Sequence, residues 1–474
     1  MRKNLILAVG MMLIASIFAT VILAQTDTST DDTSPAVMSD TQHLLGGNTT
    51  IFNTTENAFT FNSPALDRYA RLEFFVGDSF FNQNWVTAPA STTARDGLGP
   101  LFNARSCASC HFKDGRGRPP EFDGESPTGF LVRLSTNERD LTGAYLGDTH
   151  YGGQFQENAL EGLSYEGSLR IIYNDIAGEF ADGTPYTLRE PVIYLEDLMY
   201  GDLNPEINIS PRVANQMIGL GLLEAIPEET ILSFADPSDA DNDGISGRPN
   251  YVWDAYNNQR SIGRFGWKAN QPSLLQQNAA AFNGDIGITT SLFPEENCLP
   301  LQISCQDFIS GGEPEISDDD LLQVTLYTQT IAVPAQRDYD TPEVQRGYEL
   351  FVATNCNACH IETIETGIHP TIPSLSNQTI HPYTDLLLHD MGEGLADDAP
   401  DFEATGSEWR TPPLWGIGLF ETVNGHTYYL HDGRARNLSE AILWHGGEAE
   451  ASRDTYLNMS AEDRDALIAF LRSL

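Results

Sequence analysis

Basic residues are scarce in this chain: 26 Lys and Arg stand against 67 Asp and Glu among 474 residues, a formal net charge of -41. A surface of that sign repels the phosphates of nucleic acid and of anionic lipid, so neither is expected as a partner. It suits a salty habitat, and it also favours encounter with a basic protein. Long apolar runs are lacking too. Only the N-terminus carries one, residues 5–24 behind Arg2 and Lys3, which reads as an export signal over 1–24, with an uncleaved anchor as the alternative. No later stretch is apolar enough to span a bilayer, so the rest of the chain is expected in the periplasm or otherwise outside the cytoplasm. Cysteine is sparse as well, six residues in all. Two of them, Cys298 and Cys305, lack the C-x-x-C spacing of a redox-active pair and are expected to form a structural disulfide.

The other four stand in two identical frames, Cys107-Ala-Ser-Cys110-His111 and Cys356-Asn-Ala-Cys359-His360. Two thiols three positions apart reach the two vinyl groups of one haem, and the adjacent histidine swings under the iron. A four-cysteine zinc site and thioredoxin-like redox pairs are the competing readings. Two copies, each followed at once by His and both behind an export signal, favour two covalently bound haem c groups.

What is abundant supports a large core: 41% of residues are hydrophobic and 10% aromatic. Residues 25–58, rich in Ser, Thr and Asp, are expected to form a disordered acidic leader. No short-period repeat is present, but there is a coarse duplication. Thr341 and Pro342 start a helix whose Val344, Gly347, Tyr348 and Phe351 recur at helical spacing before Cys356. Leu72, Phe75, Val76, Gly77, Phe80 and Phe81 precede the first motif in a similar way. A last helix, capped at Ser460 and carrying Leu467, Phe470 and Leu471, is expected to cross the helix holding Gly347 and Phe351, an arrangement that resembles small class I cytochromes c. The expected fold is therefore mainly α, with two cytochrome c-like haem domains. The C-terminal one spans 335–474. The N-terminal one, 59–334, is enlarged by loops and short strands such as residues 130–134 and 191–195.

Further ligands are harder to place. Met391 lies downstream of the second motif, where a Met-ligated cytochrome carries its sixth ligand, and His431 and His445 are its rivals. Met217 is a candidate at the first haem, as is an open position. Asp239, Asp241 and Asp243 alternate before Gly244 and Ile245, like the start of a calcium loop, although position twelve is Asn250 instead of Glu. Arg434 and Arg436, with Arg410, are candidates to pair with haem propionates. Trp267 is a candidate relay between haems.

Several segments resemble the di-haem oxidoreductase family, described as peroxidases and sometimes labelled thiol oxidoreductases. They are DGLGPLFN at 96–103 with SCASCH at 106–111, DNDGISGR at 241–248, LLLHDMG at 386–392, EWRTPPLW at 408–415, LHDGRAR at 430–436 and WHGGE at 444–448. More distantly, the chain is similar to bacterial di-haem cytochrome c peroxidases, whose N-terminal haem reacts with peroxide, whose C-terminal haem supplies electrons and which hold calcium between the two. In those relatives an axial Met directly precedes a His-Asp-Gly, where this chain has Leu430. The resemblance implies reduction of hydrogen peroxide at the first haem, with electrons passed on by the second from a small cytochrome or cupredoxin. Glu157 and Gln154, with Glu161 and Glu166, are the candidates for acid–base work. The alternative is an electron-transfer cytochrome with two six-coordinate haems and no catalysis.

Overall fold

The computed structural model describes residues 36–474. The expected export signal and the start of the leader lie outside the described residues. Helices form where apolar spacing and an N-cap coincide. α1 (Arg68–Asn82) begins at Asp67, whose carboxylate accepts from the Tyr69 and Ala70 amides. α2 (Leu274–Ala281) is capped by Ser273. α3 (Asp318–Thr330) is capped by Ser317 and has three aspartates in its first turn, where the helix dipole favours them. α4 (Pro342–Ala353) has Thr341 as its cap and Pro at its first turn. α5 (Leu438–Leu443) starts at Asn437, and α6 (Ala461–Ser473) at Ser460, whose hydroxyl accepts from the Asp463 amide.

The duplication in the sequence is a duplicated helix crossing. α4 meets α6 at Gly347, where a Cβ would lie 2.0 Å from the Ala466 carbonyl oxygen. α1 meets α3 at Gly77, where a Cβ would lie 2.2 Å from the Gln323 carbonyl oxygen. Only glycine allows two backbones so close. One helical turn beyond each glycine stands a phenylalanine against the motif histidine. Phe81 lies 6.1 Å from His111 and Phe351 lies 6.4 Å from His360, ring centre to ring centre. The face of α1 is rotated from the one its apolar spacing suggests. Phe74, Gly77, Phe80 and Phe81 are buried, while Leu72 and Phe75 are more than half exposed.

The mainly α expectation is wrong. Helix accounts for 28% and strand for 17%. The strands pair as six separate two-stranded ribbons among the described residues, all antiparallel. The longest joins β2 (Ser168–Glu179) to β3 (Pro185–Glu196), twelve residues each. β1 (Phe130–Ser135) pairs with β4 (Asn208–Val213), and β5 (Leu388–Asp390) with β6 (Glu408–Arg410). Two-stranded ribbons carry short apolar alternations that merge into loop composition, which is why the sequence reads as helix with insertions.

The acidic leader also ends earlier than expected. Leu45, Ala58 and Phe59 are fully buried. Gln42 donates to the Tyr383 hydroxyl at 2.9 Å, and His43 stacks on Tyr339 at 4.4 Å. One hydrophobic cluster runs from Phe74 through Trp267 to Phe351 and Phe470, so both motif-bearing halves share a core. Cys298 and Cys305 are joined as a disulfide with Cα atoms 5.8 Å apart, as expected.

Candidate functional site

The first motif forms a single helical turn, Cys107–Cys110, capped by the Ser106 hydroxyl. The second forms a short 3-10 turn, Cys356–Ala358. All four thiols are unpaired, and each pair opens into its own cavity. The first has a volume of about 310 Å³ and the second about 190 Å³. Burial keeps the thiols protonated, with Cys110 pushed up to about 12 and Cys356 to about 11. Among the described residues, the only group of three or more His, Cys, Asp or Glu able to close on one ion is Asp239, Asp241 and Asp243. A zinc site built from both motifs is therefore excluded: the motifs stand in different cavities.

Each motif histidine is held for ligation. His111 Nδ1 lies 2.6 Å from the Asn215 carbonyl oxygen, and His360 Nδ1 lies 2.9 Å from that of Tyr383. A ring that donates Nδ1–H to a carbonyl keeps Nε2 as a lone pair for a metal. Burial favours the neutral rings, lowering His111 and holding His360 at about 4.

Two buried cations on the cavity walls stand without an ion-pair partner among the described residues. Arg116 lines the second cavity and Arg410 lines both; each is about 5% exposed and neither has a carboxylate within ion-pair distance among the described residues. Arg410 donates to the carbonyls of Gly266 and Thr411, Arg116 to that of Leu430, and Arg116 Nε has no partner. Burial lowers both guanidinium groups to about 10. Arg133, in the first cavity, likewise has no ion pair among the described residues, although the Asp285 carboxylate on the same wall favours its charge. A buried cation without an anion is costly, and the propionates of a haem would supply that anion. Thiols, neutral imidazoles and unpaired guanidinium groups are together the donor set such a group needs.

Arg434 and Arg436, expected in this role, line neither cavity. Arg434 is bound to Asp432 at 2.8 Å and to the Gly394 carbonyl, while Arg436 is clamped by Glu440 and reaches the Thr187 carbonyl. Acidic residues two and four positions away satisfy both. Arg116 was the missed signal: in a chain so poor in cations, an arginine five residues after His111 stands out.

Trp267, Gln216, Arg410, Pro412 and Pro413 line both cavities and form a common wall. The Trp267 indole N–H donates to the Val213 carbonyl at 2.9 Å, and the Arg116 guanidinium lies 4.9 Å from its ring centre.

Of the acid–base candidates, Glu157 borders the first cavity, with its carboxylate accepting from the Leu169 amide at 3.2 Å and its pKa raised by burial. Gln154 does not border it. Its amide donates to Asn103, Gly284 and Asp285, so it supports the cavity from behind. The carboxylate it supports, Asp285, does line the cavity. Asp285 was missed because it sits in an irregular helical turn, Phe282–Ile286, with no motif around it. Glu161 and Glu166 are outside the cavity. Met217 lines it, but its amide is bonded to the Asp114 carbonyl, three residues beyond His111.

Glu166 is a structural carboxyl. It accepts from the Gln156 amide at 2.6 Å and the Gln302 side chain at 2.7 Å, and burial pushes it up to about 8 from the ordinary 4.5. Between those two pH values the native state holds a proton that the unfolded state has released, so stability falls as pH rises through the window, by a few kcal/mol at roughly 1.4 kcal/mol per unit. Glu166→Gln is expected to flatten the melting temperature against pH between 4.5 and 8. A profile as steep as the parent's counts against a protonated Glu166.

In the second cavity, Met391, His431 and His445 all line the wall with His360, as does Ile245 at the end of the acidic loop. The oxygens of Asp239, Asp241 and Asp243 lie within 4.8 Å of one another. The loop is moored to the cavity by Ser246, whose amide and hydroxyl both donate to Glu448.

The family described as "Di-haem oxidoreductase, putative peroxidase" matches residues 40–139 and 180–474. No curated protein matches the chain. The match omits 140–179, which contains the β2 strand, while its partner β3 lies in the matched part. On this coverage the chain belongs to the di-haem oxidoreductase family.

Proposed function

We propose that the chain is an exported peroxidase carrying haem c on Cys107, Cys110 and His111 and on Cys356, Cys359 and His360, with hydrogen peroxide reduced at the first site. The observation that carries this reading is the pair of cavities: each offers two unpaired thiols and a histidine with Nε2 uncommitted, and they share a wall. Haem bound there supplies one-electron transfer and, where a coordination position is open, a place for peroxide.

Reduction of one peroxide to two waters takes two electrons and two protons. Glu157 and Asp285, the two carboxyl groups on the first cavity, are placed to hold and hand over protons. Trp267 and Arg410 stand between the sites, and Trp267 is the aromatic group placed to carry electrons across. The electrons come from a small redox protein, a cytochrome or cupredoxin, and the charge of -41 favours a basic one. Calcium at Asp239, Asp241 and Asp243, with the Ile245 carbonyl, would stiffen the loop that ends on the second cavity. The disulfide and the N-terminal pattern both support a place outside the cytoplasm.

The test is spectroscopic. Absorbance and EPR are recorded on the oxidised and half-reduced full chain, with and without peroxide. A high-spin haem that responds to peroxide is expected. If both haems stay low-spin in every state and peroxide changes nothing, the protein is an electron carrier and not a peroxidase. Glu157→Gln and Asp285→Asn then locate the proton carrier: losing it is expected to slow peroxide turnover by about 10²–10⁴.

A further inference from the structure

Four histidines line the second cavity, His360, His389, His431 and His445. Their ring nitrogens are committed very differently. His389 is clamped at both ends, with Nε2 2.7 Å from Asp385 and Nδ1 2.7 Å from Glu448. A ring fixed as a cation between two carboxylates has no lone pair for a metal. His431 lies flat against Trp409, with ring centres 3.7 Å apart, and its buried Nε2, which has no hydrogen bond, faces the Asp432 carboxylate at 3.7 Å. His445 is different. It follows the last turn of α5, and its Nδ1 lies 2.7 Å from the Ala441 carbonyl oxygen, one of the acceptors a helix C-terminus leaves unsatisfied. That bond fixes the tautomer and aims Nε2 away from the helix. Among the described residues no hydrogen bond is made by Nε2, and His445 lines the cavity. The arrangement repeats that of His111 and His360.

We infer that His445, and not Met391, is the sixth ligand of the iron that His360 holds, making the second site a bis-imidazole haem. The inference rests on the haem reading proposed above. Two imidazole ligands hold the potential lower than a thioether does, so this site would be a strong reductant of the first.

The test uses the full chain with its haems attached, counted first by the pyridine haemochrome spectrum. EPR of the oxidised protein is expected to show a bis-imidazole low-spin haem, and the far-red absorption band of thioether-ligated ferric haem is expected to be absent. Met391→Leu is expected to leave both spectra unchanged. His445→Ala is expected to turn one of the two haems high-spin, with added imidazole restoring the low-spin signal. Should that variant fail to fold, His445→Met, which keeps a ligand, is expected to introduce the thioether band. A thioether band in the parent that Met391→Leu abolishes overturns the inference and leaves the peroxidase reading standing. A chain that takes up no covalent haem overturns both.

Discussion

Serine at both Cys107 and Cys110 is expected to leave one haem per chain instead of two and to abolish peroxide turnover. Both attachment points of the first cavity go at once. His111 alone, on its Asn215 hydrogen bond, would have to retain the group by coordination. The same pair of changes at Cys356 and Cys359 removes both attachment points of the second cavity. The two double variants should therefore differ in kind. Losing the first haem should remove the peroxide-responsive signal. Losing the second should leave that signal and stop only steady turnover, since the route for electrons is gone. Haem per chain, peroxide consumption and calorimetric melting are measured on each. Unchanged turnover in the Cys107→Ser, Cys110→Ser chain would sink the assignment of the reactive site.

Lys268→Met is expected to destabilise the protein by about 3–5 kcal/mol, although it touches neither motif. Lys268 is completely buried beside Asp397, with its ammonium 3.2 Å from the carboxylate, 2.8 Å from the Thr405 carbonyl and 4.0 Å from the centre of the Trp409 ring. Burial lowers it to about 8, with Asp397 acting in the opposite direction. Removing the cation leaves Asp397 with its bonds from Ser210 and the Ala399 amide but no counter-charge. An uncompensated buried charge is the expensive outcome, more so than loss of the pair itself. Adding Asp397→Asn should therefore recover part of the loss, and the double-mutant cycle reads the coupling. Trp409 lines the second cavity and stacks on His431, so the single variant should also disturb the spectrum of that haem. Chemical denaturation checks the first claim. A loss below about 1 kcal/mol, the range of an exposed ion pair, would show the pair to be energetically idle.

What was legible in the sequence was whatever depends on short range. C-x-x-C-H is such a case: its five residues must act on one group, so the chemistry is written at fixed spacing. The caps at Thr341 and Ser460 are others, because an N-cap and the amides it serves lie within three residues. The crossing at Gly347 could be anticipated because a glycine on an apolar helical face has few other uses. The matching crossing at Gly77 followed the same logic, yet the buried face of α1 did not. Phe74 and Phe75 are equally apolar, and only the position of α3 decides which of them points inward. Of the twelve-residue ribbon only 191–195 in β3 was legible, because a strand's partner is chosen in space, and two-stranded ribbons need little apolar alternation of their own.

The arginines divide the two kinds of information most sharply. By sequence, Arg410, Arg434 and Arg436 were the candidate anion binders, and Arg116 was not singled out. Asp432 and Glu440, two and four residues away, take up Arg434 and Arg436, while the fold carries Arg116 and Arg410 into cavity walls without an ion-pair partner among the described residues. The same holds for the histidines: four look alike along the chain, and their hydrogen bonds make His389 a clamped ion and His445 a free donor. By itself the sequence determined that this protein has two attachment frames, a strongly acidic surface and membership of the di-haem oxidoreductase family. Only the tertiary structure decided that the frames face two cavities with a common wall, and which side chains reach them, because burial and hydrogen bonding are settled between residues far apart in the chain.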